Sequence, residues 1–290
     1  MKVSPIRKYL REERLPTIFC PGCGLGIIMN ATLTAIDQLK IDINKIVMVS
    51  GIGCSGRIPG YIKVDSLHTT HGRAIAYATG IKLANPELNV IVFTGDGDTG
   101  AIGIGHFIHA ARRNIDIKVI CVNNLNYALT GGQFSPTTPK GAWTYTSPYG
   151  NIEGFFDLCE LAVAAGASYV ARWTVREVYN LINSMKKALK KKGFCFIEVV
   201  SPCPTNFGRR NKMETSQKII NFFKEREIKV KDAKGLSREE LRGKLIIGEF
   251  VDRELPEFTE TYNELILVSQ KKFKEPEKPG LAWIELEIRY

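Results

Sequence analysis

One carboxylate and two neighbouring carboxamides have the types and spacing of ligands for a hard metal ion. Asp96 lies in Gly-Asp-Gly, and Asn123 and Asn124 follow after residues 98–122. Divalent cations such as Mg²⁺ take oxygen ligands in near-octahedral geometry. If Asp96 ends one strand and Asn124 ends the next, with a helix between them, both side chains reach the same ion. The flanking glycines also let the backbone approach phosphate oxygens closely.

Four of the seven cysteines lie in turn-rich sequence that suits a metal centre. Cys20 and Cys23 form Cys-Pro-Gly-Cys, Cys54 lies in Gly-Ile-Gly-Cys-Ser-Gly-Arg, and Cys203 lies in Ser-Pro-Cys-Pro. Four thiolates can bind a zinc ion or an iron–sulfur cluster, and their spacing alone favours neither. A thioredoxin-type redox pair is disfavoured, because no predicted strand leads into the first motif. The other cysteines fall in predicted strands and a helix, where the residue is usually a small buried hydrophobe: Cys121, Cys159 and Cys195.

The histidines form two pairs, for which the sequence predicts different roles. His68 and His71 directly precede a predicted helix, where an imidazole can bind a diphosphate or a substrate carboxylate. Capping and packing are the alternative for both. His106 and His109 are three residues apart within a predicted helix. Metal binding by this second pair is possible in principle, but a packing role for their helix is favoured.

Apolar periodicity predicts helices that alternate with short buried strands. The predicted strands are 46–49, 90–94, 117–122, 168–171 and 194–200. The predicted helices are 27–39, 73–84, 100–113, 154–165, and one that opens with a capping box at 174–177 and ends in the lysine-rich run 186–192. This alternation predicts an α/β fold with a mostly parallel sheet covered by helices on both faces.

The chemistry-bearing motifs follow these predicted strands. Ligands of parallel sheets bind beyond the carboxyl ends of the strands, so the aspartate, the asparagines and most of the cysteines are expected at one edge. The stretch 124–153 has no predicted element, and a loop of that length in a compact domain is usually functional.

Length and composition bound the domain organisation and the location. The 290 residues are 44% hydrophobic and 24% charged, as in ordinary globular proteins. We expect a main domain at 1–205 and a C-terminal extension at 206–290 that packs on the main domain or on a partner subunit. No apolar run approaches the roughly 20 residues of a membrane span, and the charged start of the chain does not resemble a secretory signal. A cytoplasmic protein without a membrane partner is expected.

The net charge of +10 admits two interpretations. It can be a solvated surface rich in lysine, or a docking surface for an acidic partner. Nucleic acid is not expected as a partner, because the basic residues are scattered and no recognition motif accompanies them.

Taken together, the motifs resemble the β subunit of 2-oxoacid:ferredoxin oxidoreductases. The resemblance covers about residues 9–210 in order and continues weakly through 248–262. It rests on C-P-G-C-G, G-I-G-C-S-G-R, H-T-T-H-G-R-A, G-D-G-D and Y-A-L-T-G-G-Q-F-S-P-T-T. The Gly-Asp-Gly and Asn-Asn pattern is similar to that of thiamine diphosphate enzymes in general, and implies their cofactor-binding fold.

The resemblance implies a role for each matched residue. Asp96 and Asn124 bind Mg²⁺ through their side chains, and Asn126 binds it through its carbonyl. The positions implied to line the diphosphate are Gly97, Asp98, Ala128 and Leu129. Those implied to contact the thiamine are Ile52, Gly53, Cys54, Ser55 and His71, of which His71 is the candidate catalytic residue. The implied ligands of a [4Fe–4S] cluster, which the resemblance favours over zinc, are Cys20, Cys23, Cys54 and Cys203.

The resemblance also implies a reaction. It is the oxidative decarboxylation of a 2-oxoacid, with coenzyme A taking the acyl group and ferredoxin the electrons, or the reverse carboxylation. The sequence Thr130-Gly131-Gly132-Gln133 lacks the lysine that some relatives carry, and it resembles the loop of β subunits for 2-oxoglutarate, a loop that also occurs in those for branched-chain 2-oxoacids. The Met-Asn that precedes Thr-Gly in the pyruvate type is absent, so 2-oxoglutarate is the favoured substrate. The glutamate that activates thiamine has no match here, so an α subunit is expected to supply it. The competing hypotheses are a non-oxidative thiamine decarboxylase and a zinc-bearing basic binding protein.

Overall fold

The computed structural model describes residues 4–274, which form an eight-stranded sheet with helices on both faces. The strands are β1 (Ile46–Ser50), β2 (Asp65–His68), β3 (Asn89–Gly95), β4 (Lys118–Asn123), β5 (Tyr169–Thr174), β6 (Cys195–Val200), β7 (Glu227–Lys229) and β8 (Leu245–Asp252). Their order is β2-β1-β3-β4-β6-β5-β8-β7. Every neighbouring pair is parallel except β5 and β8. The predicted α/β fold with a mostly parallel sheet is confirmed.

Eight α-helices lie within the described residues. They are α1 (Leu25–Leu39), α2 (Ala74–Ala84), α3 (Ile104–Arg112), α4 (Leu158–Ala164), α5 (Val178–Lys190), α6 (Ser216–Lys224), α7 (Val230–Ala233) and α8 (Phe258–Lys274). Two π-helical turns, Asp98–Ile102 and Pro204–Gly208, follow the carboxyl ends of β3 and β6. No helix between residues 4 and 274 combines the length and the apolar character needed to cross a membrane.

The central strands divide their side chains between two hydrophobic cores. In β3, Ile91 and Phe93 face the core under α1 and α5, whereas Val90 and Val92 face the core under α2, α3 and α4. Successive residues of a strand point to opposite faces, so a strand buried on both sides must be apolar throughout. This is why the predicted strands appear as continuous apolar runs.

The structure corrects several predicted boundaries. The helix predicted at 154–165 begins only at Leu158, because the Asp157 carboxylate caps it by accepting from the backbone N–H groups of Cys159 and Glu160, both at 2.9 Å. The capping box predicted at 174–177 is wrong, since Thr174 ends β5 and its hydroxyl donates to Glu227 at 2.6 Å. Strand β2 was not predicted, because its residues are all exposed and form no apolar run.

The C-terminal extension contributes to the same sheet as the first 205 residues. Strand β8 pairs antiparallel with β5, and β7 pairs with β8. Helix α6 packs through Ile219 and Phe223 into a small core that also holds Phe207. The division of the chain at residue 205 stays a prediction, and residues 275–290 of the extension lie outside the described residues.

Three buried charged side chains connect α2, the start of β4 and the segment that precedes β6. The Asp116 carboxylate contacts the ammonium groups of Lys82 at 2.7 Å and Lys118 at 2.5 Å, and each of these side chains is less than 9% exposed. Lys118 also donates to the carbonyls of Lys191 and Gly193. Burial alone would raise the pKa of Asp116, but the two lysines hold it below its ordinary value. The charged carboxylate therefore stabilises the fold.

We expect Asp116→Asn to lower the free energy of unfolding at neutral pH by about 3–5 kcal/mol, because two buried ammonium groups lose their counterion. The stabilisation by Asp116 is complete above about pH 4, the pKa of an unfolded aspartate. It is lost as the pH falls through the lower pKa of the folded state. Urea denaturation at several pH values measures both effects, with Asp65→Asn in the exposed strand β2 as the control. Equal stability of the two variants would mean that Asp116 does not stabilise the fold through Lys82 and Lys118.

Candidate active site

The carboxyl ends of four parallel strands meet at one edge of the sheet. Their register aligns Ser50 with Phe93, Gly95 with Val122, and Asn123 with Val200. The loops that follow these strands therefore leave the sheet side by side. They carry Asp96, Asn124, Cys54 and Cys203, as the sequence predicts, whereas Cys20 and Cys23 lie in the segment before α1.

The Asp96 carboxylate is buried directly beyond β3. Only 2% of the residue is exposed, and its Oδ2 accepts hydrogen bonds from Ser135 Oγ at 2.6 Å and Thr137 Oγ1 at 2.7 Å. Burial raises the pKa of Asp96 to about 6, although these hydroxyls oppose the shift. Ser135 and Thr137 lie in the matched motif Y-A-L-T-G-G-Q-F-S-P-T-T, but their residue types alone indicate no role. They are the groups that solvate this carboxylate.

The two candidate amide ligands lie in the turn after β4. The Asn126 amide donates to the Asn124 carbonyl at 2.7 Å and lies 3.4 Å from Asn124 Oδ1. Asn126 is 2% exposed, yet its side-chain Oδ1 has no hydrogen-bond partner among the described residues. A buried acceptor without a donor is costly, and a cation would satisfy it. The resemblance assigns the Asn126 carbonyl as ligand, but the unpartnered atom is its side-chain oxygen. This oxygen-only donor set fits Mg²⁺.

The Asp98 carboxylate connects two loops of the site. Its Oδ1 accepts from Gly72 N at 2.7 Å and contacts His71 Nδ1. A Cβ on Gly51 would lie 1.9 Å from Asp98 Oδ2, so only glycine fits there. The implied contact of Asp98 with a diphosphate stays a prediction. The structure gives Asp98 a second task, which is to hold the His71 loop against the Gly51 loop.

The candidate catalytic residue His71 is also held by an aromatic contact. Its ring meets that of Tyr127 edge to face at 5.8 Å between centroids. The Tyr127 hydroxyl donates to the Gly97 carbonyl at 3.0 Å, and a Cβ on Gly97 would stand 2.4 Å from the tyrosine ring. Tyr127 is a site residue that sequence reasoning missed. The matched motif Y-A-L-T contains it, but only the fold reveals its contact with Gly97.

The remaining predicted cofactor contacts lie around the mouth of this edge. Ser55 is buried, Gly53 is half-buried, and Ile52 and Leu129 are exposed. The carbonyl of the half-buried Ala128 accepts from the Asn206 side chain at 2.6 Å.

The other three histidines take different positions. His68 Nδ1 lies 2.8 Å from Ser50 Oγ, and burial lowers its pKa. His106 and His109 lie on α3. Nowhere in residues 4–274 do three His, Cys, Asp or Glu side chains converge on a position for a single metal ion, so these two histidines gain no partner ligand there.

The four matched cysteines are neighbours, whereas the other three are separate. Burial raises the pKa of Cys54 to about 12, and the nearby thiols of Cys203, Cys23 and Cys20 raise it in the same direction. The loop that carries Cys23 packs on the segment that carries Cys203, because a Cβ on Gly24 would lie 2.4 Å from Ser201 Oγ. The remaining cysteines are fully buried in the sheet and α4, as predicted: Cys121, Cys159 and Cys195.

Zinc and an iron–sulfur cluster place different demands on four thiols. A zinc ion draws four sulfurs to about 2.3 Å from one point, whereas in a [4Fe–4S] cluster each thiolate binds its own iron. Among the described residues, no three His, Cys, Asp or Glu side chains converge on a position for a single metal ion. The choice of a cluster over zinc rests on the resemblance of the sequence motifs.

Comparison with known proteins agrees with this geometry. Residues 51–199 match the family described as the C-terminal TPP-binding domain of thiamine pyrophosphate enzymes. The 2-oxoglutarate synthase subunit KorB of Methanocaldococcus jannaschii is 58% identical over 264 residues, which are 91% of this chain and 98% of the relative. The subunit of the same name from Methanothermobacter marburgensis is 58% identical over 257 residues, 89% of this chain and 90% of that protein.

A solved structure extends the comparison. It is the 2-oxoglutarate:ferredoxin oxidoreductase from Magnetococcus marinus with 2-oxoglutarate, coenzyme A and succinyl-CoA bound. It superposes with a TM-score of 0.82 at 32% identity, over 96% of this chain and 98% of that chain. The parallel sheet, the Asp96 edge and the matched domain define a thiamine diphosphate enzyme. Within that class, the chain belongs to the family of β subunits of 2-oxoacid:ferredoxin oxidoreductases, which confirms the resemblance found in the sequence.

Gly51→Ala tests the contact between the Gly51 loop and Asp98. The new Cβ displaces the carboxylate from His71 and Gly72, and we expect a loss of about 1–3 kcal/mol in the free energy of unfolding. Gly80→Ala in α2 is the control, because a Cβ there has no neighbour within 4 Å. It should be neutral or stabilise by about 0.5–1 kcal/mol. If both variants unfold alike, Asp98 does not lie against Gly51.

Proposed function

We propose that this chain is the β subunit of a 2-oxoglutarate:ferredoxin oxidoreductase that holds thiamine diphosphate, Mg²⁺ and a [4Fe–4S] cluster. The reaction converts 2-oxoglutarate and coenzyme A into the acyl-CoA and CO₂, with two electrons passed singly to ferredoxin, or runs in reverse. The observation that carries the proposal is the position of Cys54. Its loop contacts the edge of the sheet that carries the proposed metal ligands, because Gly51 lies against Asp98. Cys54 itself neighbours the other three matched thiols.

The residues at the carboxyl-terminal edge of the sheet have distinct tasks in this proposal. Thiamine diphosphate, when bound, supplies the chemistry that breaks the bond between the carboxylate and the keto carbon. Asp96, Asn124 and Asn126 would hold the Mg²⁺ that binds its diphosphate. Asp98 and Tyr127 hold His71 at the mouth of the site, where it can orient the substrate or move a proton at its ring nitrogen.

The cysteines favour an oxidative reaction over a non-oxidative decarboxylation. A [4Fe–4S] cluster supplies transfer of single electrons, for which a non-oxidative decarboxylase has no use. Cys203 leads through the turn Pro204–Gly208 to exposed basic residues, Arg209 and Arg210. A ferredoxin is expected to be acidic, and complementary charge raises the rate of such an encounter. We therefore assign ferredoxin docking to this side of the molecule.

The preference for 2-oxoglutarate rests on the names of the relatives and on the loop after Tyr127. That loop is a tight turn, in which Gly131 has φ +116° and Gly132 has φ +91°. A Cβ on Gly132 would stand 2.9 Å from Asn206 Cβ. Gly131 stands where some relatives carry a lysine, so this loop lacks that cation and is smaller at this position. Branched-chain 2-oxoacids remain the second candidate.

An α subunit completes the proposed enzyme. The relatives are named as subunits, and the mouth of the site is lined by exposed apolar side chains. Ile52 is 37%, Leu129 46% and Ile102 49% exposed. A partner that covers these residues would exclude water from the cofactor and supply the missing glutamate. We expect this chain alone to be inactive.

Cys203→Ser tests the cluster. A hydroxyl is a poor iron ligand, so we expect the anaerobically assembled enzyme to lose most of its iron and its electron transfer to ferredoxin. Cys159→Ala is the control and should keep a full complement of iron, because Cys159 is buried away from the other thiols. Iron content and visible absorbance measure the result. Unchanged cluster content in Cys203→Ser would remove Cys203 from the ligand set.

Asp96→Ala tests the metal site. The variant removes the only charged side-chain ligand in the proposed set. The affinity for thiamine diphosphate with Mg²⁺ should therefore fall by more than about 100-fold, since substitutions of residues that only orient metal ligands already lower metal affinity by about 10–100-fold. Calorimetry on the assembled enzyme gives the affinity, with Asp65→Ala as an exposed control. Mg²⁺-dependent binding of near-normal strength in Asp96→Ala would defeat the assignment.

A further inference from the structure

A chain of buried polar side chains runs from Asp96 into the centre of the sheet. Its members, none more than 2% exposed, are Asp96, Thr137, Asn123, Glu198 and Arg172. We call this set the buried polar chain. Thr137 Oγ1 lies 2.7 Å from Asp96 Oδ2 and 3.0 Å from Asn123 Oδ1. Asn123 Nδ2 donates to Glu198 Oε1 at 2.7 Å, and Arg172 Nε donates to Glu198 Oε2 at 2.5 Å.

Glu198 determines which way the Asn123 amide points. A carboxylate only accepts hydrogen bonds, so the NH₂ group of Asn123 must face it. The amide oxygen then faces the backbone N–H of Leu125, which donates to it at 3.0 Å. In the flipped amide, the oxygen would face the Glu198 carboxylate and the NH₂ group would face the Leu125 N–H. Both contacts would be repulsive.

The hydrogen bond from Leu125 supports the turn that carries the proposed metal ligands. Leu125 has φ +65°, a left-handed conformation that a branched side chain rarely adopts. It lies between Asn124 and Asn126, so its conformation determines where both side chains point. Asn123 holds this turn from one side, and Thr138 holds it from the other by donating to the Leu125 carbonyl at 2.8 Å.

Arg172 supplies the opposite charge beside Glu198 within the sheet. Besides its bond to Glu198, its guanidinium donates to Asp157 at 2.6 Å and to the Ile246 carbonyl at 3.2 Å. Ile246 belongs to β8, so the C-terminal extension also contributes to the support of this ion pair. A buried carboxylate with a fixed counterion is a rigid acceptor.

We propose that Glu198 is a positioning residue for the metal-binding turn at residues 124–126, and that it acts through the amide of Asn123. The inference rests on the proposed function, because the metal is the one assigned to Asp96. Groups that orient metal ligands from outside the ligand set typically change metal affinity by about 10–100-fold.

Glu198→Gln is the direct test. Gln has the same size, but Arg172 requires an acceptor, so the new amide turns its oxygen to Arg172 and its NH₂ group to Asn123. This forces the Asn123 amide to flip against the Leu125 N–H. In the assembled enzyme with thiamine diphosphate, we expect the dissociation constant for Mn²⁺, used in place of Mg²⁺ and measured by electron paramagnetic resonance, to rise by about 10–100-fold.

Glu249→Gln is the matched control. Glu249 lies on β8 and accepts from the Tyr169 hydroxyl at 3.0 Å and from Lys187 at 2.7 Å, but it has no bond to Asn123. We expect its affinity for Mn²⁺ to equal that of the unaltered enzyme. An equal loss in both variants would mean that general destabilisation weakens the metal, and would overturn the inference.

A second variant keeps the test decisive if Glu198→Gln fails to assemble. Glu198→Asp retains the charge beside Arg172 but is one methylene too short to hold Asn123, so the Mn²⁺ affinity should fall here too. Normal affinity in either folded Glu198 variant would overturn the inference. If the unaltered enzyme binds no Mn²⁺ with thiamine diphosphate, or if Asp96→Ala binds it normally, the proposed metal site fails instead.

Discussion

The parallel pairing of β1, β3, β4 and β6 is the constraint on which the site depends. In a parallel sheet all carboxyl ends lie at one edge, and crossover helices separate consecutive strands in the sequence. Residues far apart in the chain, such as Ser50, Asp96 and Asn123, therefore meet without any long-range pairing of their loops. The same edge receives Cys54 after β1 and Cys203 after β6. One topological rule thus brings the proposed thiamine and cluster sites into contact.

The buried carboxylates at this edge need hydrogen-bond or charge partners, and each carboxylate has a different pair of them. Asp96 is solvated by two hydroxyls, Asp98 by a backbone N–H and an imidazole, and Glu198 by an amide and a guanidinium. The hydroxyls come from the long loop 124–153, which has no helix or strand of its own. That loop is ordered by side-chain bonds, including one from Asn151 to the Thr138 carbonyl at 2.8 Å. Its polar composition is what allows it to surround a buried charge.

The sequence predicted most of the fold because buried parallel strands need apolar residues on both faces. It missed β2 and β7, whose residues are exposed or half-buried, and β8, in which Ile247 and Gly248 alone are buried. At the site, residue type and position after a strand predicted Asp96, Asn124, Cys54 and Cys203, and the Cys-Pro-Gly-Cys spacing added Cys20 and Cys23 to the proposed set. The partners of these residues could not be predicted in the same way. Thr137, Tyr127 and Glu198 act through contacts between segments. Nothing in the sequence around Glu198 shows that this glutamate faces an asparagine 75 residues earlier in the chain.

The central claim is that one edge of the sheet holds a magnesium site and an iron–sulfur cluster side by side. Anomalous diffraction from crystals of the assembled enzyme, grown anaerobically with thiamine diphosphate and Mn²⁺ and measured at the iron and manganese edges, tests it most directly. The account predicts a manganese peak among Asp96, Asn124 and Asn126, and an iron peak enclosed by Cys20, Cys23, Cys54 and Cys203. A zinc signal at the cysteines, or manganese bound away from Asp96, would contradict it.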